Sequence, residues 1–138
     1  MVCDPTLLLT DKEYHVLASR GKLKLGELYI LVYVLDYMYN PYPDIYHIVR
    51  KVKAELGCKV IYIGTNAVDP TDDDASYVGG HIGPLEFLQL MESASFVITT
   101  SFHGTAFATI FHKPLFSVVQ DTESEDGRMQ TLLNALGQ

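Results

Sequence analysis

Residues 99–105, Thr-Thr-Ser-Phe-His-Gly-Thr, set hydroxyls, one imidazole and one glycine between an apolar run and a helix-like apolar pattern. Several of these residue types have a use at a strand-to-helix turn. Ser101 is suited to capping the following helix, whose first N–H groups lack partners of their own and face outward at its positive end. Gly104, with no side chain, would let an anion come close to that backbone. His103 beside it would donate a hydrogen bond or a proton to the anion, a role suited to imidazole near neutral pH. A plainer reading stays open, in which Ser101 only caps and His103 packs over the turn. Neither a G-x-G-x-x-G nor a Walker A pattern accompanies the stretch, so the residues alone do not mark a nucleotide site.

Other residues extend the list. Arg128 follows the acidic stretch 121–126; it is either a solvated surface charge or a guanidinium fork reaching toward a carboxylate or phosphate. Tyr33, Tyr37, Tyr39, Tyr42 and Tyr46 are clustered in sequence, and aromatic faces beside polar groups suit sugar rings. Of these, Tyr33 and Tyr46 are expected in or near the core, and Tyr37, Tyr39 and Tyr42 on a loop. His103 and His112 would project from opposite sides of a helix at about 100° per residue, so no metal site is expected, and the triplet 72–74 reads as a solvated acidic loop. Acyl transfer lacks support as well, because there is no G-x-S-x-G elbow and a serine two residues before a histidine does not define a triad.

The elements that must position these groups follow from periodicity. Residues 27–35, 58–64, 95–100 and 114–119 are β-branched and aromatic runs that read as strands apolar on both faces. Residues 43–57, 83–94 and 104–113 read as helices between them, and 127–137 as a last helix. Thr10 is placed to cap a helix over 11–18, with Glu13 as its capping-box partner. The irregular stretch 65–82 has room for a short edge strand at 76–78. Alternating strands and helices of this kind predict a doubly wound parallel α/β sheet. In such a sheet ligands bind beyond the carboxyl ends of the strands. That edge holds Asp36 and Tyr37, Thr65 and Asn66, residues 100–103, and residues 120–121.

Composition narrows the partners. A chain of 138 residues with 48% hydrophobic content suits a single domain over 1–138. A formal charge of −7 with clustered acids argues against nucleic acid and anionic lipid. The longest apolar or aromatic run, residues 29–35, is far short of the roughly 20 residues that span a bilayer. Cys3 and Cys58 form no C-x-x-C pattern and suggest reduced thiols, with the cytoplasm as the expected compartment. The abrupt start and an end just after a helix suggest the carboxyl-terminal part of a larger enzyme.

Taken in order, the stretches 4–10, 29–35, 83–116 and 127–137 resemble the C-terminal half of the polysaccharide pyruvyl transferase family. The most specific part is Ser-Phe-His-Gly-Thr-Ala-Phe at 101–107, supported by Arg-Met-Gln-Thr-Leu-Leu from Arg128. The resemblance implies one Rossmann-like half of a two-domain GT-B enzyme, with the N-terminal domain missing from this chain. It implies transfer of pyruvyl from phosphoenolpyruvate to two hydroxyls of a hexose, in a cell-surface glycan or lipid-linked precursor, as a cyclic ketal. No metal or organic cofactor is required. The motif histidine falls on His103 as general acid; Ser101, Gly104 and Thr105 would form the anion-binding turn, and Arg128 would contact the donor. Family members carry an Arg-Leu pair before that histidine where this chain has Phe102, so a donor-binding cation must come from Arg128 or the missing half. Asn66 and Tyr37 complete the expected substrate contacts. Two alternatives remain at this point: a GT-B glycosyltransferase using a nucleotide-sugar, and a non-catalytic anion- or glycan-binding domain.

Overall fold

The computed structural model describes residues 4–37, 39–64, 68–80 and 82–119. The β-branched runs form β1 (Tyr29–Tyr33), β2 (Lys59–Ile63), the two-residue β3 (Ser76–Tyr77), β4 (Phe96–Thr99) and β5 (Leu115–Ser117). All pair in parallel, in the order β3-β2-β1-β4-β5. Between them lie α1 (Asp11–Ala18), α2 (Asp44–Leu56), α3 (Pro84–Ser93) and α4 (Phe102–Ile110). Asn66, Arg128 and the expected last helix at 127–137 lie outside the described residues.

Helices cover the sheet on both faces because neither face is polar. Ile30, Val32, Val34, Val60, Tyr62 and Ile98 meet Ile45, Val49 and Val52 of α2 in one core. Tyr29, Leu31, Ile63 and Val97 turn the other way, toward α1, α3 and α4. Alternation along β1 therefore divides two cores, as its period of two requires. This is the doubly wound, Rossmann-like α/β arrangement.

Local signals set the helix ends. Thr10 and Glu13 close a reciprocal capping box at the start of α1. Gly57 ends α2 at φ 64°, a left-handed turn that costs glycine little. Tyr14 of α1 stands edge-on to Phe107 of α4 at 5.0 Å and donates to the Thr6 carbonyl at 2.9 Å. That contact pins a short 3-10 turn, Pro5–Leu8, which packs against α4.

The loop before β3 is anchored by charge rather than left in solvent. Arg50 donates two hydrogen bonds to Asp69, 2.7 and 2.8 Å long, and Asp69 is buried. Asp72, expected in a solvated acidic loop, instead pairs with Lys53 at 2.5 Å. The Arg50 fork, helped by the backbone and hydroxyl of Thr71, holds the Asp69 carboxyl far below its usual range although burial pushes it upward. A depressed folded-state pKa stabilises the fold above the unfolded value and loses that contribution as pH falls. Thermal stability should therefore decline once pH drops below about 4. Asp69→Asn should cost about 2–3 kcal/mol at neutral pH and flatten that acid limb. Thermal melts across pH on both proteins check it; parallel curves would show that the pair contributes nothing to the pH dependence.

Candidate functional site

Strand order reverses beside β1: the chain runs outward from β1 to β2 and β3, then returns to β4 and β5. Carboxyl ends of β1 and β4 consequently border the switch-point crevice where open α/β sheets take ligands. Register places Tyr33 opposite Thr99 at that edge. Beyond the edge Thr100 Oγ1 accepts from the Leu35 N–H at 2.8 Å, and Thr99 Oγ1 donates to the Tyr33 carbonyl at 2.8 Å. The two threonines knit the floor together.

From that floor the chain enters α4 two residues earlier than the apolar periodicity suggests, so His103 sits inside the first turn. Ser101 caps it as expected, its Oγ accepting from the Gly104 N–H at 3.3 Å. Ser101 is itself buried, with its own N–H held by Thr99 Oγ1 at 3.0 Å. Thr105 is fully buried; its hydroxyl engages the Ser101 carbonyl at 3.1 Å and Ser117 Oγ at 2.9 Å. That hydroxyl ties α4 to β5. Gly104 lies on the same inward side of the turn. It is buried, and a Cβ there would overlap Thr99 Oγ1 and stand 2.9 Å from Tyr33 Cδ1. The missing side chain lets helix meet sheet.

His103 is what the turn presents outward. Its side chain is 56% exposed, the Phe102 ring stands edge-on at 5.5 Å, and Nε2 lies 3.8 Å from Asp4 Oδ2. Tyr37 is 76% exposed at the same sheet edge. Of the other loop tyrosines, Tyr39 donates to the Val118 carbonyl at 3.0 Å and Tyr42 packs on Tyr46 at 4.9 Å, so both hold the fold. An open apolar groove of about 700 Å³ lies elsewhere, between α2 and β5 on the opposite face from α4, lined by Ile48, Val52, Phe96 and Phe116. Among the described residues no three His, Cys, Asp or Glu side chains are grouped to hold a metal, and no helix is long and apolar enough to cross a membrane.

The family model for polysaccharide pyruvyl transferase matches residues 1–122, from the amino terminus through α4 and β5. The chain belongs to the polysaccharide pyruvyl transferase family. No curated protein matches it. Among solved structures it is similar to the UDP-GlcNAc 2-epimerase of Methanocaldococcus jannaschii, with TM-score 0.58 and 15% identity over 88% of this chain and 36% of that one. It is also similar to the glycotransferase of kitacinnamycin, with TM-score 0.55 and 17% identity over 86% of this chain and 31% of that one. These likenesses carry the fold, a GT-B-like Rossmann half. The chain spans about a third of either structure.

Within this chain one neighbour of His103, Asp4, escapes sequence reading. Asp4 lies 99 positions before His103 in sequence, and only the 3-10 turn brings it there. Tyr33, expected in or near the core, is half-buried there, with its ring against both Gly64 and Gly104. Burial pushes its hydroxyl pKa up, opposed by a hydrogen bond with Ser101 and assisted by nearby Tyr37. A phenol held neutral there serves the Ser101 cap as a partner. For Asp4 there was no signal beyond its motif.

Proposed function

We propose that this chain supplies the His103-bearing half of a two-domain transferase that moves the pyruvyl unit of phosphoenolpyruvate onto two hydroxyls of a hexose, as a cyclic ketal. The acceptor is a cell-surface glycan or its lipid-linked precursor, and the site works on the cytoplasmic side. The supporting observation is an exposed histidine on the first turn of α4 at the switch point, in a chain of this family.

The reaction needs little else from this half. Protonation of the enol methylene turns it into a methyl and makes the adjacent carbon electrophilic; one sugar hydroxyl adds there and gives up its proton. The carbon–oxygen bond to phosphate then breaks, the second hydroxyl closes the ketal, and its proton leaves with the phosphate. His103 delivers the first proton, and the amino end of α4 favours the negative charge of donor and leaving group. Arg128, Asn66 and Tyr37 are the further donor and acceptor contacts of this reading, with arginine from the other half replacing the cation that Phe102 does not provide.

Cells lacking the gene provide the test. Their envelope glycan should contain no ketal-linked pyruvate, and the enzyme with phosphoenolpyruvate should restore it with release of one phosphate per ketal. An unchanged pyruvate content in the deletion strain would overturn the proposal.

A further inference from the structure

We infer that Asp4 positions His103, holding its imidazole as the Nε2–H tautomer and leaving Nδ1 as the nitrogen that exchanges a proton with the ligand. The assignment rests on His103 being the proton-exchanging group proposed above. It starts from a geometric fact: Asp4 Oδ2 faces His103 Nε2 at 3.8 Å, while Oδ1 of the same carboxylate accepts from the Thr6 N–H at 2.9 Å.

That second contact engages Oδ1 and leaves Oδ2 as the oxygen on the side of the ring. The turn that carries Asp4 is in turn held to α4, because Thr6 accepts from Tyr14, and Tyr14 packs edge-on against Phe107 and Phe111 at 5.0 and 6.4 Å. Imidazole and carboxylate thus ride on one packed unit although 99 positions separate them in sequence. Closing 3.8 Å to a hydrogen bond takes a shift of about 1 Å by an exposed ring, and such contacts commonly tighten only when ligand is present.

The chemistry follows from the donor and acceptor inventory. An ionised carboxylate only accepts, so the ring nitrogen facing it carries hydrogen, and the opposite nitrogen is left for the ligand. When the ring carries hydrogen on both nitrogens, Nε2–H faces the carboxylate and Nδ1–H is left for the ligand.

Asp4→Asn separates this role from simple capping. Asparagine keeps an oxygen for the Thr6 N–H but can present an amide N–H to the imidazole, which then accepts at Nε2 and carries hydrogen on Nδ1. Long-range proton–nitrogen correlation spectra of the 138-residue chain, recorded above the titration range of imidazole and assigned with His103→Gln, read the tautomer directly. The expected result is Nε2–H in the native chain and Nδ1–H in Asp4→Asn, with the Thr6 amide unmoved. The same tautomer in both, or Nδ1–H in the native chain, overturns the assignment. Asp4→Ser, which retains a capping oxygen without a carboxylate, replaces Asp4→Asn if that variant does not fold; the native Nε2–H signal should then give way to a mixture, and an unchanged signal overturns it. No substrate is present, so the outcome is separate from the fate of the pyruvyl-transfer reading. In the complete enzyme Asp4→Asn should lower kcat by about 10²-fold or more with KM changed by less than about threefold, the pattern of a proton misplaced rather than a ligand lost.

Discussion

His103→Ala is expected to lower kcat by about 10²–10⁴-fold while leaving the thermal midpoint of the chain almost unmoved. The separation of the two effects follows from where the residue stands. More than half of its side chain faces solvent, and its described contacts are the distant Asp4 carboxylate and the edge of Phe102. Removing such a side chain takes nothing from either core. Capping of α4 also survives, because Ser101 and Gly104 provide it. His103→Gln sharpens the expectation. An amide still donates a hydrogen bond to an anion but cannot deliver a proton, so KM should stay near the native value while kcat falls nearly as far as in the alanine variant. Steady-state kinetics and melting curves on the three proteins decide it. Equal kcat in all three would remove His103 from the chemistry.

Gly104→Ala carries the second large effect, and here two principles oppose each other. Alanine in a helix is favoured over glycine by about 1 kcal/mol. At this position the added Cβ overlaps Thr99 Oγ1 and comes within 3.0 Å of Thr99 Cβ and 2.9 Å of Tyr33 Cδ1. Neither neighbour is a loose chain end. Thr99 is fully buried, and its hydroxyl is engaged by the Tyr33 carbonyl and the Ser101 N–H. Packing therefore wins over propensity, and the variant should lose about 1–3 kcal/mol overall. Activity should fall with it, since α4 can relieve the overlap only by moving off the sheet and taking His103 along. Chemical unfolding gives the first quantity and enzyme kinetics the second. A variant more stable than native would show that the glycine is there for some reason other than close approach. Thr99→Ala, made together with Gly104→Ala, should relieve the overlap in part, and the double variant should be less unstable than the sum of the singles.

The fold was legible because local and global signals agree. Runs such as 58–64 are apolar on both faces, which only a doubly covered sheet satisfies, and the Thr10–Glu13 box, Gly57 and Ser101 mark helix ends in residue types alone. Even the two-residue edge strand at Ser76–Tyr77 falls within the expected stretch.

The strand-to-helix turn that carries His103 was legible because it is contiguous in sequence. The roles of the histidine's neighbours were not, since a hydroxyl or glycine in sequence does not say whether it faces ligand or sheet. Thr105 and Gly104 turned inward because α4 packs over β4 and β5 with the Tyr33 ring of β1 against Gly104, and pairing partners so far apart as Asp4 and His103, or Arg50 and Asp69, depend on tertiary packing.

The central claim is that the first turn of α4 receives phosphoenolpyruvate. Amide-shift titration of the 138-residue chain tests it most directly, with a uridine-nucleotide sugar and inorganic phosphate as controls. The account predicts saturable shifts confined to residues 101–106 and their neighbours, stronger for phosphoenolpyruvate than for either control and lost in His103→Ala. Shifts of those amides by the nucleotide sugar, with none from phosphoenolpyruvate, would contradict it.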